Sequence, residues 1–313
     1  MRRTRSSRPP RPRVRDGPLI CACIDIGSNT TRLLVADAED GRLRELVTQR
    51  AFTRIGRSLG SNGGSIPAEK IAETADVVRT QSTVAREVGA EEIVAVATAA
   101  IRLAANREEL VAAVEDAGGM PLTVLSDEEE ARLSFVGATR TLLQPADGTI
   151  AVIDVGGGST ELAVGEPDGS MAWSASFRIG SGFLADSYLR SDPPSIDELE
   201  KVRRHVVGTF EGLDPPPADS AVAVGGTATS LRRLVGAELS HETLGRGIRV
   251  LSLTPIDEVA RRFELDTERV RLLPAGILVL EALSDVLQLP LRIARGGLRE
   301  GVLLELVEGR QLA

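Results

Sequence analysis

The chain has 313 residues, of which 42% are hydrophobic and 26% charged, and carries a net charge of −8. That length accommodates two domains of ordinary size, and the composition is that of a globular protein. The acidic balance gives no footprint for nucleic acid, no apolar run is long enough to span a bilayer, and no N-terminal segment reads as a signal peptide, so a cytoplasmic protein with neither nucleic acid nor membrane as partner is expected.

Seven arginines interleaved with Ser and Pro lie between Arg2 and Arg15. They carry no apolar periodicity, and residues 1–18 are predicted to be a disordered tail. Residues 19–24 read as a buried strand leading into Asp25-Ile26-Gly27-Ser28-Asn29-Thr30. Strands over 33–37 and 43–53 follow through short turns. A strand answered by another strand, not by a helix, separates this from Walker and dinucleotide motifs. Residues 57–65 read as a Gly/Ser-rich loop. Pro67 opens an amphipathic helix over 68–88, which Gly89 ends. A strand over 92–97, a helix over 107–117 capped by Asn106, and a strand over 121–125 come next. Ser126 and Glu129 form a capping-box start for a helix reaching 143.

The plan then repeats. A strand over 149–153, a Gly-rich turn, and strands reaching 164 and spanning 171–179 begin the second half. Helices are predicted over 183–189 and 196–210, and a strand over 220–224 meets Gly225-Gly226-Thr227 at the start of a helix to 234. Further helices begin at Pro255 and at Pro274, the latter running to 289. A strand over 291–294 precedes a last helix over 298–307. Each half therefore holds three hairpin-linked strands followed by alternating helices and strands, an α/β arrangement with mixed sheets. Cys21 and Cys23 alternate on the first strand, point to one face, and read as small core hydrophobes rather than a disulfide or metal ligands.

The two halves share a phrase. Residues 25–35 (DIGSNTTRLLV) align without a gap to 154–164 (DVGGGSTELAV). A phosphate needs converging donors on a backbone that can approach closely. Glycine permits the approach, and hydroxyls add donors. Gly27, Ser28, Asn29 and Thr30 in the first turn, and Gly156, Gly157, Gly158, Ser159 and Thr160 in the second, are the candidate phosphate contacts. Asp25 and Asp154 end their strands, where a carboxylate can hold Mg²⁺. Glu161 lies seven residues after Asp154, so a hairpin can aim both carboxylates at one metal or water. Arg32 takes the matching place in the first copy and is not a ligand type. Glu130 reads either as part of an acidic helix start or as a general base for water. Arg102 is either a fork for phosphate or half of a surface ion pair. Gly225, Gly226 and Thr227 form a candidate anion loop.

Taken together, Asp154-Val155-Gly156-Gly157-Gly158-Ser159-Thr160-Glu161, Glu129-Glu130-Ala131-Arg132-Leu133, residues 24–30, residues 98–106, Gly225-Gly226-Thr227 and residues 297–301 resemble the exopolyphosphatase/guanosine pentaphosphate phosphohydrolase (Ppx/GppA) family of the actin/sugar kinase/Hsp70 superfamily. The match runs in order from residue 20 to the end. The resemblance implies two actin-like (ribonuclease H-like) domains, each with a mixed five-stranded sheet, over 19–135 and 136–296. Residues 297–313 would return as a helix onto the first, and the active site would lie in the cleft. It implies Glu130 as catalytic base, Asp154 and Glu161 in catalysis and Mg²⁺ binding, Asp25 as a further metal residue, and Arg102 on phosphate. Asp127 departs from the family, which usually has glycine there. The chain resembles a short form without the additional C-terminal helical domains, and a homodimer is in keeping with the family. The expected reaction is Mg²⁺-dependent release of terminal phosphate from inorganic polyphosphate. The alternatives are hydrolysis of the 5′-terminal phosphate of pppGpp, an ATP-dependent kinase, and a non-catalytic polyphosphate or alarmone sensor.

Overall fold

The computed structural model describes residues 19–39, 41–144 and 146–309. The predicted tail over 1–18 and the last four residues of the predicted 297–313 helix lie outside them. The first half is β1 (Leu19–Ile26), β2 (Thr31–Glu39), β3 (Arg42–Ala51), α1 (Ile55–Ser61), α2 (Ala68–Glu87), β4 (Glu92–Ala97), α3 (Ala99–Leu103), α4 (Arg107–Gly118), β5 (Leu122–Val124) and α5 (Asp127–Arg140). The second is β6 (Ile150–Val155), β7 (Thr160–Gly165), β8 (Met171–Phe177), α6 (Ser181–Tyr188), α7 (Ile196–Phe210), β9 (Ser220–Val224), α8 (Gly225–Val235), β10 (Glu238–Leu239), α9 (His241–Leu253), α10 (Ile256–Phe263), α11 (Thr267–Leu287), β11 (Leu291–Ile293) and α12 (Leu298–Val307).

The first sheet has the order β3-β2-β1-β4-β5, and the second repeats it as β8-β7-β6-β9-β11 with β10 added at the edge. In both, the first three strands pair antiparallel and the next joins the first strand in parallel. This is the actin-like α/β architecture, duplicated. The second sheet has six strands rather than the expected five. The addition is the two-residue β10, too short to carry a strand pattern in sequence.

Side chains alternate in direction along strands that are buried on both faces, and this sets the layers. One face of the first sheet packs Ile24, Ile26 and Leu33 with Val78 of α2 and Leu110 of α4. Its other face, with Cys21, Cys23 and Leu34, is covered by Val302 and Leu303 of α12 and Leu133 of α5. The cysteines are both free and fully buried. Two residues along α5, Phe135 faces the second sheet at Val152 and Ala163. Helix α5 thus touches both sheets. Burying side chains of this size contributes about 1.5–3 kcal/mol each relative to exposure, which anchors the start of α5 from two sides.

Three helices of seven residues or more differ from expectation. Residues 55–61 are helical where a loop was predicted, because Ile55 is fully buried and the backbone N–H groups of Arg54 and Gly56 donate to Asn29 and Ser28 at 3.0 and 2.8 Å. Tertiary contact outweighs weak local propensity. Helix α9 falls where the sequence marks no element, and a Ser240–Thr243 capping box starts it. Helix α11 runs unbroken through Pro274, where the sequence predicts a new start. Its N-cap is Asp266, and apolar burial on both sides of the proline keeps one helix despite the lost hydrogen bond.

Candidate functional site

Strands β1 and β6 end in matching turns. Gly27 N donates to Thr30 O at 3.0 Å, and Gly156 N to Ser159 O at 3.0 Å. The two turns face each other. A Cβ added to Gly158 would collide with Ser28 Oγ, and one on Gly157 would sit 3.0 Å from the Cβ of Asn29. Only glycine permits so close an approach. Beside this contact is a cavity of about 60 Å³. Gly27, Ser28, Asn29, Thr30, Gly156, Gly157, Gly158, Ser159 and Gly226 line it, with Asp25, Glu130, Asp154 and Glu161.

The strand register explains the acids. Asp25 lies directly across from Arg32, and Asp154 directly across from Glu161. The same hairpin position therefore yields an ion pair in one copy and two carboxylates in the other. Asp25 Oδ2 accepts from Arg32 Nη2 at 3.1 Å and Nε at 3.3 Å. Asp25, expected as a metal residue, thus faces the cavity with one carboxylate oxygen engaged by the Arg32 guanidinium. Asp154 Oδ2 accepts from Ser134 Oγ at 2.8 Å, and Glu161 Oε1 from Ser176 Oγ at 3.0 Å. Removal from water pushes both carboxyls up, and the neighbouring acids push Glu161 further. Burial likewise raises Glu130, which is 7% exposed, against the opposing pull of Arg102.

Among the described residues, no three acidic, histidine or cysteine side chains converge as a ready-made metal cage. The donor set nevertheless suits Mg²⁺, which is commonly held by one or two carboxylates with the substrate's phosphates and waters completing the shell. Asp154 and Glu161 supply two adjacent carboxylates whose charged forms burial disfavours, and a divalent cation would stabilise those charged forms.

Four predicted phosphate contacts are directed elsewhere. Arg102 donates to Leu125 O at 2.6 Å, to Glu130 Oε2 at 3.1 Å and to Asp127, so its charge is directed to the start of α5 rather than to the cavity. Asp127, the departure from the family pattern, is thus a partner of Arg102. Thr160 Oγ1 donates to Ile179 O at 2.6 Å within the core. Thr227 is buried, with Ser181 Oγ at 3.4 Å. Gly225, with φ at +83°, backs onto the Asp154 carboxylate.

Arg269 is the site residue that the sequence reading missed. It is 6% exposed, lines the cavity beside Gly226, and its Nε lacks a hydrogen-bond partner. Burial, with Arg32 and Arg50 nearby, holds its guanidinium down at about 9. A buried cation beside other cations calls for an anion. The signal available was Asp266, a capping residue three positions earlier that marks the true start of α11.

A second cavity of about 800 Å³ adjoins the first through Ser28, Asn29, Gly157 and Gly158. Its wall carries Arg54, Arg57, Arg178, Arg190 and Arg271, of which Arg54 pairs with Glu268 at 3.1 Å and Arg271 with Asp186 at 2.8 Å. Leu103 of α3 and Phe183 of α6, 49% and 45% exposed, add apolar surface from opposite halves.

Fold and geometry together define a protein of the actin-like class with a small polar cavity beside the paired glycine turns of its two halves. The profile of the Ppx/GppA phosphatase family matches residues 34–309, and the chain belongs to that family. It is similar to exopolyphosphatase 1 of Mycobacterium tuberculosis, at 31% identity over 90% of this chain and 86% of that protein. It is also similar to the guanosine-5′-triphosphate,3′-diphosphate pyrophosphatase of Vibrio parahaemolyticus, at 26% identity over 92% of this chain and 59% of that protein. The crystal structure of the Aquifex aeolicus Ppx/GppA family member superposes with a TM-score of 0.78 at 28% identity, covering 93% of this chain and 98% of that one.

Proposed function

We propose that this chain releases terminal orthophosphate from inorganic polyphosphate, with Glu130 as general base. The observation that carries this reading is the placement of Glu130, buried and held by Arg102, on the wall of the small cavity that the two glycine turns enclose. Ser28, Asn29, Thr30, Ser159 and the turn amides surround the terminal phosphate, and Arg269 supplies the charge opposite its oxygens. Glu130 takes a proton from water as the water oxygen bonds to phosphorus. The bridging P–O bond breaks, and its electron pair leaves with the shortened chain. Such reactions depend mainly on positioning and charge stabilisation. Asp154 and Glu161 would hold Mg²⁺, which supplies positive charge against the phosphate oxygens.

The adjoining cavity takes the remainder of the substrate. Its arginines suit further phosphates. Its apolar surface at Leu103 and Phe183 favours a second reading, in which the chain acts on pppGpp and a base rests on Phe183. Phosphate release from tripolyphosphate, long-chain polyphosphate and pppGpp, measured side by side with Mg²⁺, tests both. Release from polyphosphate at the highest kcat/KM supports the first reading. Release from pppGpp alone would replace it with the second, and release from none would refute both.

A further inference from the structure

Hydroxyl side chains inside helices ordinarily turn back to the carbonyl one turn earlier. Thr139 of α5 does so, with Oγ1 donating to Phe135 O at 2.9 Å, and Thr141 just beyond the helix reaches Gly137 O at 2.6 Å. Ser134 of the same helix does not. Its hydroxyl leaves the helix and donates to Asp154 Oδ2 on β6 at 2.8 Å. Ser134 is 1% exposed, so the bond is made away from competing water. The other carboxylate oxygen, Oδ1, abuts Gly225 at the β9–α8 junction, where any Cβ would strike it. Asp154 is therefore held at one oxygen by a donor and confined at the other by a backbone that carries no side chain.

Spacing gives this arrangement a further consequence. Glu130 and Ser134 are four residues apart, so they share one face of α5. One helix face thus presents the proposed base and steadies a proposed cation ligand. We infer that Ser134 is a positioning residue that fixes the Asp154 carboxylate for a divalent cation, with Gly225 providing the room it needs. The inference rests on the proposed role of Asp154 in holding Mg²⁺. Partners that orient a metal ligand commonly contribute ten- to a hundredfold in metal affinity.

The test compares wild type, Ser134→Ala and Ser134→Thr by Mn²⁺ titration with electron paramagnetic resonance, alongside Mg²⁺-dependent phosphate release. Ser134→Ala is expected to weaken Mn²⁺ binding by about tenfold or more. The Mg²⁺ concentration giving half-maximal rate should rise by the same factor, while KM for tripolyphosphate at saturating Mg²⁺ stays near the wild-type value. Ser134→Thr, which keeps the hydroxyl, should restore most of the affinity. Unchanged Mn²⁺ affinity in Ser134→Ala, or an equal loss in both variants, would overturn the inference, as would a wild type that binds no Mn²⁺. A wild type that binds Mn²⁺ but releases no phosphate from any substrate would defeat the proposed reaction. The Mn²⁺ comparison would still decide the role of Ser134.

Discussion

Replacing Arg269 with Met should make the ligand-free protein more stable and the liganded one weaker-binding. The guanidinium is held at about 9, well below its ordinary value, by burial and by repulsion from Arg32 and Arg50. A folded-state value below the unfolded one means that the charge costs stability at every pH under about 9, and that the cost fades only as pH rises from there toward the ordinary guanidinium value. At about 1.4 kcal/mol per pKa unit the ceiling is about 4–5 kcal/mol. Local relaxation and water penetration bring the realistic gain for Arg269→Met to about 1–3 kcal/mol. Melting of a large domain shifts by about 2–4 °C per kcal/mol, so the variant should melt several degrees higher without ligand. An imido-bridged triphosphate with Mg²⁺ should reverse the contrast. The wild type gains RT ln(1 + [L]/Kd), and the variant gains less because its affinity falls by about tenfold or more. Differential scanning fluorimetry with and without the analogue, plus calorimetry for Kd, measures both effects. A variant that melts lower without ligand and binds the analogue as tightly as wild type would refute the argument that Arg269 is an unpaired cation kept for an anion.

Glu198 provides a pH test on the scaffold. Burial pushes its carboxyl up, but the backbone N–H groups of Ser195, Arg190 and Ser191 outweigh that and hold it at about 2. Its contribution is therefore complete above the unfolded value of 4.5 and is lost as pH falls toward about 2. Glu198→Gln should cost about 1–3 kcal/mol at neutral pH, and urea midpoints of variant and wild type should converge in acid; a gap that stays constant with pH would contradict this. Phe183→Ala should raise KM for pppGpp by an amount equivalent to about 1–3 kcal/mol of lost stacking and leave tripolyphosphate nearly unaffected. An equal change for both substrates, measured by phosphate release, would remove the base-stacking role.

Much of the site was legible because it is local in sequence. The Asp-Gly turns announce themselves by repetition, and the seven-residue gap between Asp154 and Glu161 is the length of a hairpin that returns one carboxylate opposite the other. The same spacing between Asp25 and Arg32 places an ion pair there, a partner for Asp25 that only the strand register reveals. Contacts made across long separations were not legible. Arg102 is drawn to Asp127 and Glu130 from 25 and 28 residues away. Arg269 reaches the cavity from a helix whose start is disguised by Pro274. Ser134 and Thr139 are both hydroxyl residues of α5, but β6 supplies the partner of Ser134 through the fold, where Thr139 bonds within the helix.

The central claim is that Glu130 aims and deprotonates water at a phosphate held between the paired turns. Phosphate release from tripolyphosphate in Mg²⁺, compared for wild type and Glu130→Gln, tests it most directly when the analogue's Kd is measured on the same samples. The variant should keep its affinity and lose about 10²–10⁴-fold in kcat. Turnover close to wild type in a folded, ligand-binding Glu130→Gln protein would contradict the account.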